Sequence, residues 1–153
     1  MIPRLGSAPR PGTAYRLRPG AYAILLDGQG RVLLTEQTTP ETVETQLPGG
    51  GIDPGESPLP ALLREVREET GHSARILRHL GSYRRFTFMS EYGFHAEKLC
   101  HVYLGRAGVR HGPPEEPGHR VVWAKDARHA AGLVESPGDA SFLDRLARMT
   151  ATL

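Results

Sequence analysis

The segment from Gly50 to His72 constrains this chain more than any other, because four glutamates, Arg64, Gly50 and Gly71 stand in it at fixed spacing. It reads Gly50, five residues, Glu56, seven residues, then Arg64-Glu65-Val66-Arg67-Glu68-Glu69-Thr70-Gly71. Ser57 can cap a helix, and Pro58 suits the first helical position, where its missing amide hydrogen has no partner to lose. Gly71 is a left-handed stop, so the spacing predicts a helix over residues 58 to 70. On that helix Leu59, Leu62, Leu63, Val66 and Thr70 form one apolar stripe. Glu65, Glu68 and Glu69 fall in an adjacent arc of roughly 100°.

Three carboxylates on one face repel one another, at a cost of a few tenths of a kcal/mol per pair. They can be a solvated face that pairs with Arg64 and Arg67, or they can share a cation. Magnesium is the natural ion and manganese a possible one, being hard cations that take a few carboxylate oxygens and leave positions open for phosphates. Glu69 lies nearest the apolar stripe and is expected to be the most desolvated of the three. Ahead of the helix, Leu47-Pro48-Gly49-Gly50-Gly51 joins a short strand to a glycine-rich turn that continues through Asp53-Pro54-Gly55, where backbone can approach a ligand closely. No Gly-Lys-Ser/Thr follows, which excludes a P-loop.

The whole pattern resembles the Nudix box (MutT-like), the signature of hydrolases that cleave a nucleoside diphosphate linked to another group. That box ends Arg-Glu-aliphatic-any-Glu-Glu-any-Gly-aliphatic, and only His72 departs from it. With the full box present, the resemblance favours the cation over the solvated face. It implies an α/β fold, an α/β/α sandwich on a mixed sheet, and magnesium-dependent attack by a metal-bound water on a phosphoanhydride. Glu65 and Glu69 would be the leading ligands and Glu68 a third, with the Gly50 carbonyl near the ion. Arg64 would orient its neighbours through a bidentate fork, and Glu56 would act behind the ligands with a possible metal contact. The family takes its base either from the box or from a later loop. Glu116, in Glu115-Glu116-Pro117-Gly118 shortly before Trp123, is the loop candidate, and Glu65 is its rival.

Composition fits one soluble domain. With 153 residues at 39% apolar content the chain can build one sizeable core. Residues 1–13 read as a flexible arm and 14–153 as a single Nudix domain. A formal net charge of +2 is too small to argue for nucleic-acid binding in general, although contact with RNA 5′ ends stays compatible with the hydrolase reading. The single Cys100 excludes an internal disulfide and reads as a small buried hydrophobe. The absence of a membrane-length apolar run and of a signal segment predicts the cytoplasm. Family analogy allows a homodimer, with the arm as a contact.

Tyr22–Leu26 reads as a buried strand, Asp27-Gly28-Gln29-Gly30 as a hairpin turn and Val32–Leu34 as its partner. Residues 74–88 and 95–104 look extended, with Glu91-Tyr92-Gly93 turning between them. Val121–Trp123 makes a further strand, while residues 127–134 and 141–149 have helical spacing. Alternation over 95–104 places Ala96, Lys98, Cys100, Val102 and Leu104 on one face, where Lys98 either snorkels to the edge or points into a cleft. Glu97, His95 and His101 take the other face, and the two histidines, about 20 Å apart along a straight strand, cannot share a metal. Arg84, Arg85, Phe86, Phe88, Tyr92 and Phe94 form a basic and aromatic cluster that could grip phosphates and stack a base. Nucleoside triphosphates, dinucleoside polyphosphates, nucleotide sugars and capped RNA ends all stay open as substrates. The alternative to a hydrolase is a catalytically silent Nudix fold that serves as a nucleotide sensor or interaction module. Its mark would be a broken box, and here every charged box residue is present.

Overall fold

The computed structural model describes residues 1–151. Among them the chain forms β1 (Arg16–Leu26), β2 (Val32–Thr38), β3 (Val43–Gln46), β4 (Gly49–Gly51), α1 (Pro58–Thr70), β5 (His72–Met89), β6 (Phe94–Arg110), β7 (His119–Ala124), α2 (Ala127–Leu133) and α3 (Pro137–Ala151). One seven-stranded sheet runs β3-β2-β1-β6-β5, with β4 paired to β1 and β7 to β2. The β1–β6 pairing is parallel and the others antiparallel, so the sheet is mixed as expected.

Helices cover both faces. Leu62 and Val66 of α1 pack on Ala21, Ala23, Leu25 and Leu33, while Phe142 and Leu143 of α3 and Ala130 of α2 pack on Ile24, Val32, Leu34 and Val102. Successive β1 residues feed opposite cores, which is why Ala21–Leu26 is an unbroken apolar run rather than an alternating one. The expected α/β/α sandwich is what forms. No helix among the described residues is long and apolar enough to cross a membrane.

The signature helix has the predicted bounds, and Gly71 ends it at φ 74° with its N–H donating to the Arg67 carbonyl at 2.9 Å. A Cβ there would collide with the Gly112 carbonyl, a second reason for glycine. Two details differ from expectation. Ser57 occupies the cap position in extended conformation, but its hydroxyl makes no cap bond. The buried stripe is Ala61, Leu62, Val66, Glu69 and Thr70, whereas Leu59 and Leu63 stay 42% and 40% exposed, because the helix meets the apolar face of β1 and β2 through Leu62 and Val66.

The long hairpin exceeds its predicted limits at both ends, since the β5–β6 ladder continues to His72↔Arg110 and Met89↔Phe94. The expected flexible arm is docked in part. Leu5 N–H donates to the Arg84 carbonyl at 3.0 Å, Arg84 N–H to the Pro3 carbonyl at 2.9 Å, and Leu5 packs against the larger core. β5 is an edge strand with free backbone donors and acceptors, which the arm takes up.

Candidate active site

The sheet opens beside β1. β1 pairs with β2 only at Leu26↔Val32, and its other half takes β4 at Gly20–Tyr22. A cleft of about 390 Å³ fills the opening, bordered by β4, the C-terminal half of α1, the β5–β6 hairpin and the loop before β7.

The acidic wall is built from α1. Glu69 is 4% exposed, and its Oε1 accepts the Gly49 N–H at 2.9 Å. That amide is held from behind: the adjacent Pro48 carbonyl accepts from Ala23 N–H at 3.0 Å, and Asp139 Oδ2 accepts from Leu47 N–H at 3.3 Å. Burial pushes the Glu69 carboxyl well above the ordinary range. The Gly49 amide opposes the shift, and Glu65, Glu116 and Glu68 add to it. Burial also raises Glu65, against the pull of Arg64. A Cβ on Gly50 would lie 2.7 Å from Glu65 Cδ, so only glycine lets the backbone come this close to that carboxylate.

Arg64 behaves as a distributor. Nη1 reaches Glu65 at 3.2 Å and Glu68 at 3.3 Å, while Nη2 reaches Glu56 at 3.3 Å. Glu56 also accepts the Asp53 N–H at 2.9 Å, which ties the glycine turn to the helix. Glu56 braces Arg64 and lies outside the two groups of potential ligands that form nearer the end of the helix.

Glu116 is brought to the helix by its own backbone. The Glu115 and Glu116 amides donate to the Glu68 carbonyl at 2.8 and 2.9 Å, satisfying an orphan acceptor near the end of α1. Two sets of potential ligands result, Glu65–Glu68–Glu116 and Glu69–Glu116–His119, each with ligand atoms within 4.8 Å of one another. His119 was not foreseen. Its Nε2 lies 3.7 Å from Glu69 and 3.8 Å from Glu116, and its Nδ1 is 2.9 Å from the Thr35 hydroxyl. Desolvation holds this imidazole below its usual range, with Glu116 opposing. The available signal was its place three residues after Glu116, across the Pro117-Gly118 turn.

On the opposite side, Lys98 takes the cleft alternative: its ammonium lies 5.4 Å from the Tyr22 ring centroid and is hydrogen-bonded to that hydroxyl. Burial first of all pushes Tyr22 up to about 12, so near neutral pH it is an uncharged hydroxyl. Arg85 also lines the cleft, whereas Arg84 and Phe86 do not. Strand alternation sends those two to the α1 face, where Arg84 pairs with Glu97 at 3.7 Å and Phe86 packs on Tyr15 at 5.0 Å. Sequence reasoning also missed Arg18, a cleft residue, because it began the first strand at Tyr22.

Fold and site together define a class, an α/β/α sandwich that turns the carboxylates of one helix onto a glycine strand at a sheet opening. The NUDIX domain profile matches residues 16–143, and the chain belongs to that family. It is 33% identical over 89 residues to an ADP-ribose pyrophosphatase of Bacillus subtilis, covering 56% of this chain and 45% of that protein. It is 43% identical over 61 residues to an RNA pyrophosphohydrolase of Novosphingobium aromaticivorans, covering 39% and 38%. The chain thus spans about half the length, or less, of these curated relatives. The crystal structure of a MutT protein from Methanosarcina mazei superposes with a TM-score of 0.68 at 20% identity, covering 89% of this chain and 96% of that one, which shows the shared fold.

Proposed function

We propose that this chain is a magnesium-dependent pyrophosphohydrolase, for which manganese can substitute, acting in the cytoplasm on a nucleoside diphosphate linked to another group. The observation that carries the reading is the junction of two sets of potential ligands, one of three carboxylates and one of two carboxylates with His119, at Glu116 on the wall of the cleft. The names of the two relatives, a pyrophosphatase and a pyrophosphohydrolase, support it.

The donor set fits a hard divalent ion. Glu65, Glu68, Glu69 and Glu116 offer carboxylate oxygens, and Arg64, engaged with Glu56, Glu65 and Glu68, forms no ion pair with Glu69 or Glu116. When bound, such an ion neutralises phosphate charge and acidifies water. The protein does the rest. Gly49 fixes Glu69, Gly50 admits the Glu65 carboxylate, and Arg64 aims Glu65 and Glu68. Glu116 is the base that takes the proton from the attacking water, with Glu65 as its rival, because its side chain is 43% exposed to the cleft while its backbone is pinned to α1. His119, fixed by Thr35, holds Glu116 and Glu69 in mutual register.

The test is product release from a panel of nucleoside diphosphate derivatives, in magnesium against EDTA, for wild type and Glu69→Gln. The glutamine oxygen can still accept the Gly49 N–H, so the fold is expected to survive. Turnover should require metal and fall in the variant by more than the ~10–100-fold typical of losing an outer-shell partner. EDTA-resistant turnover, or a variant as active as wild type, would reject the reading.

A further inference from the structure

The cleft holds a second like-charge cluster. In the sheet register Arg18 of β1 stands opposite Lys98 of β6, and Lys98 opposite Arg85 of β5, so three cations lie abreast in one row on one face. All three line the cleft. Like charges directly opposite in a sheet repel, and among the described residues no carboxylate lies within ion-pair distance of any of the three. Glu41, Glu44 and Glu91 also border the cleft without pairing to the row, and the buried Asp139, whose carboxylate interacts with Lys98 and Arg85 beyond ion-pair distance, is already bonded to Tyr83 and Leu47. An electrostatic deficit of this kind is relieved by an anion.

Arg18 is held ready for one. Its Nε is buried without a hydrogen-bond partner, and its Nη2 lies 2.7 Å from where a Gly51 Cβ would be, so glycine clears its place. The guanidinium stacks over Tyr92 at 5.5 Å, Tyr92 stacks on Phe94 at 5.7 Å, and Phe94 carries Arg16 at 4.6 Å. This ladder at the rim fixes the direction of the fork while leaving its donors free.

We propose that Arg18, Lys98 and Arg85 form a subsite for an anionic group beyond the two phosphates of the scissile linkage. This rests on the hydrolase reading and narrows its substrate class to nucleotides that carry a further phosphate, as against those whose second moiety is a neutral sugar. Acidic wall and cationic row then divide the substrate between them, one taking the reacting diphosphate and the other the distal charge.

Titration calorimetry in EDTA tests the row without metal, using ATP as the probe with a distal phosphate and ADP-ribose as the one without. Wild type is expected to bind ATP at least about tenfold tighter than ADP-ribose. Arg18→Ala and Lys98→Met should each weaken ATP by about tenfold while changing ADP-ribose by less than about threefold. Arg18→Gln, which keeps the aliphatic stem and a polar end but no charge, should behave like Arg18→Ala, and thermal melts confirm that each variant is folded. Equal loss for both probes, no preference for ATP, or no measurable ATP binding would overturn the subsite. The two proposals fail separately. Absent turnover with an Arg18-dependent ATP preference defeats only the hydrolase, and metal-dependent turnover without that preference defeats only the subsite.

Discussion

Two clusters of like charge face each other across this cleft, and they are built in opposite ways. The acidic one comes from a single helix plus one loop, with Glu65, Glu68 and Glu69 brought together by the pitch of α1 and Glu116 pinned to its end. The cationic one comes from three strands, with Arg18, Lys98 and Arg85 brought together only by the register of β1, β6 and β5. In the first, Arg64 pairs with Glu65 and Glu68, and Glu69 is buried; in the second, no cation has a carboxylate within ion-pair distance among the described residues. The difference separates chemistry from recognition: a site braced by its own counter-charge holds reacting groups in place, whereas one whose cations lack a paired carboxylate takes that counter-charge from the ligand.

The strongest way to break that division is Glu116→Gln. Removing a positioned base typically costs 10²–10⁴-fold in rate, so kcat should fall by about that much for the best substrate. ATP binding in EDTA should be unchanged or slightly tighter, because one negative charge has left the cleft. Steady-state kinetics beside calorimetry decides it. A loss confined to KM would place Glu116 in recognition and erase the contrast between the walls.

Next in size is His119→Ala. The imidazole is fixed by Thr35 and lies under 4 Å from both Glu69 and Glu116, so its loss should loosen their register rather than delete a reacting group. A fall of about 10–100-fold in activity is expected, with a rise in the magnesium concentration needed for half-maximal rate. His119→Asn, whose side-chain amide can still bond Thr35, should keep part of both. If the magnesium midpoint stays put while activity drops, His119 acts on the substrate and the orienting role is wrong.

How much was legible follows the same division. The helix bounds 58–70, the burial of Glu69 and the stop at Gly71 were all readable, because 3.6-residue periodicity and capping are local rules. Glu116 was reachable only through the resemblance. His119 was not, since the Thr35 that orients it lies 84 residues away in sequence. Arg18 escaped because strand ends are set by pairing: nothing in Arg16-Leu17-Arg18-Pro19 signals a strand until β6 lies beside it. For Arg84, Arg85 and Phe86 the sequence supplied the cluster but not its phase, and a shift of one residue reverses which side chains meet the cleft.

That phase gives the smallest effect and the sharpest control. Arg84 adjoins Arg85 in sequence and carries the same charge, yet it lies on the far face, paired with Glu97 at 3.7 Å and stacked 5.8 Å from the Phe86 ring. If net charge near the cleft were what attracts the ligand, Arg84→Ala and Arg85→Ala would weaken ATP binding alike. If the row is a built subsite, Arg85→Ala should cost about tenfold and Arg84→Ala less than about twofold, with stability changed by only ~0.2–1 kcal/mol from the exposed pair with Glu97. Raising salt should shrink any Arg84 effect to nothing, because its charge would act only through solvent, while the Arg85 contact persists. Equal losses for the two neighbours would mean that the cationic wall is a diffuse field, and that the contrast with the braced carboxylates is one of sign alone.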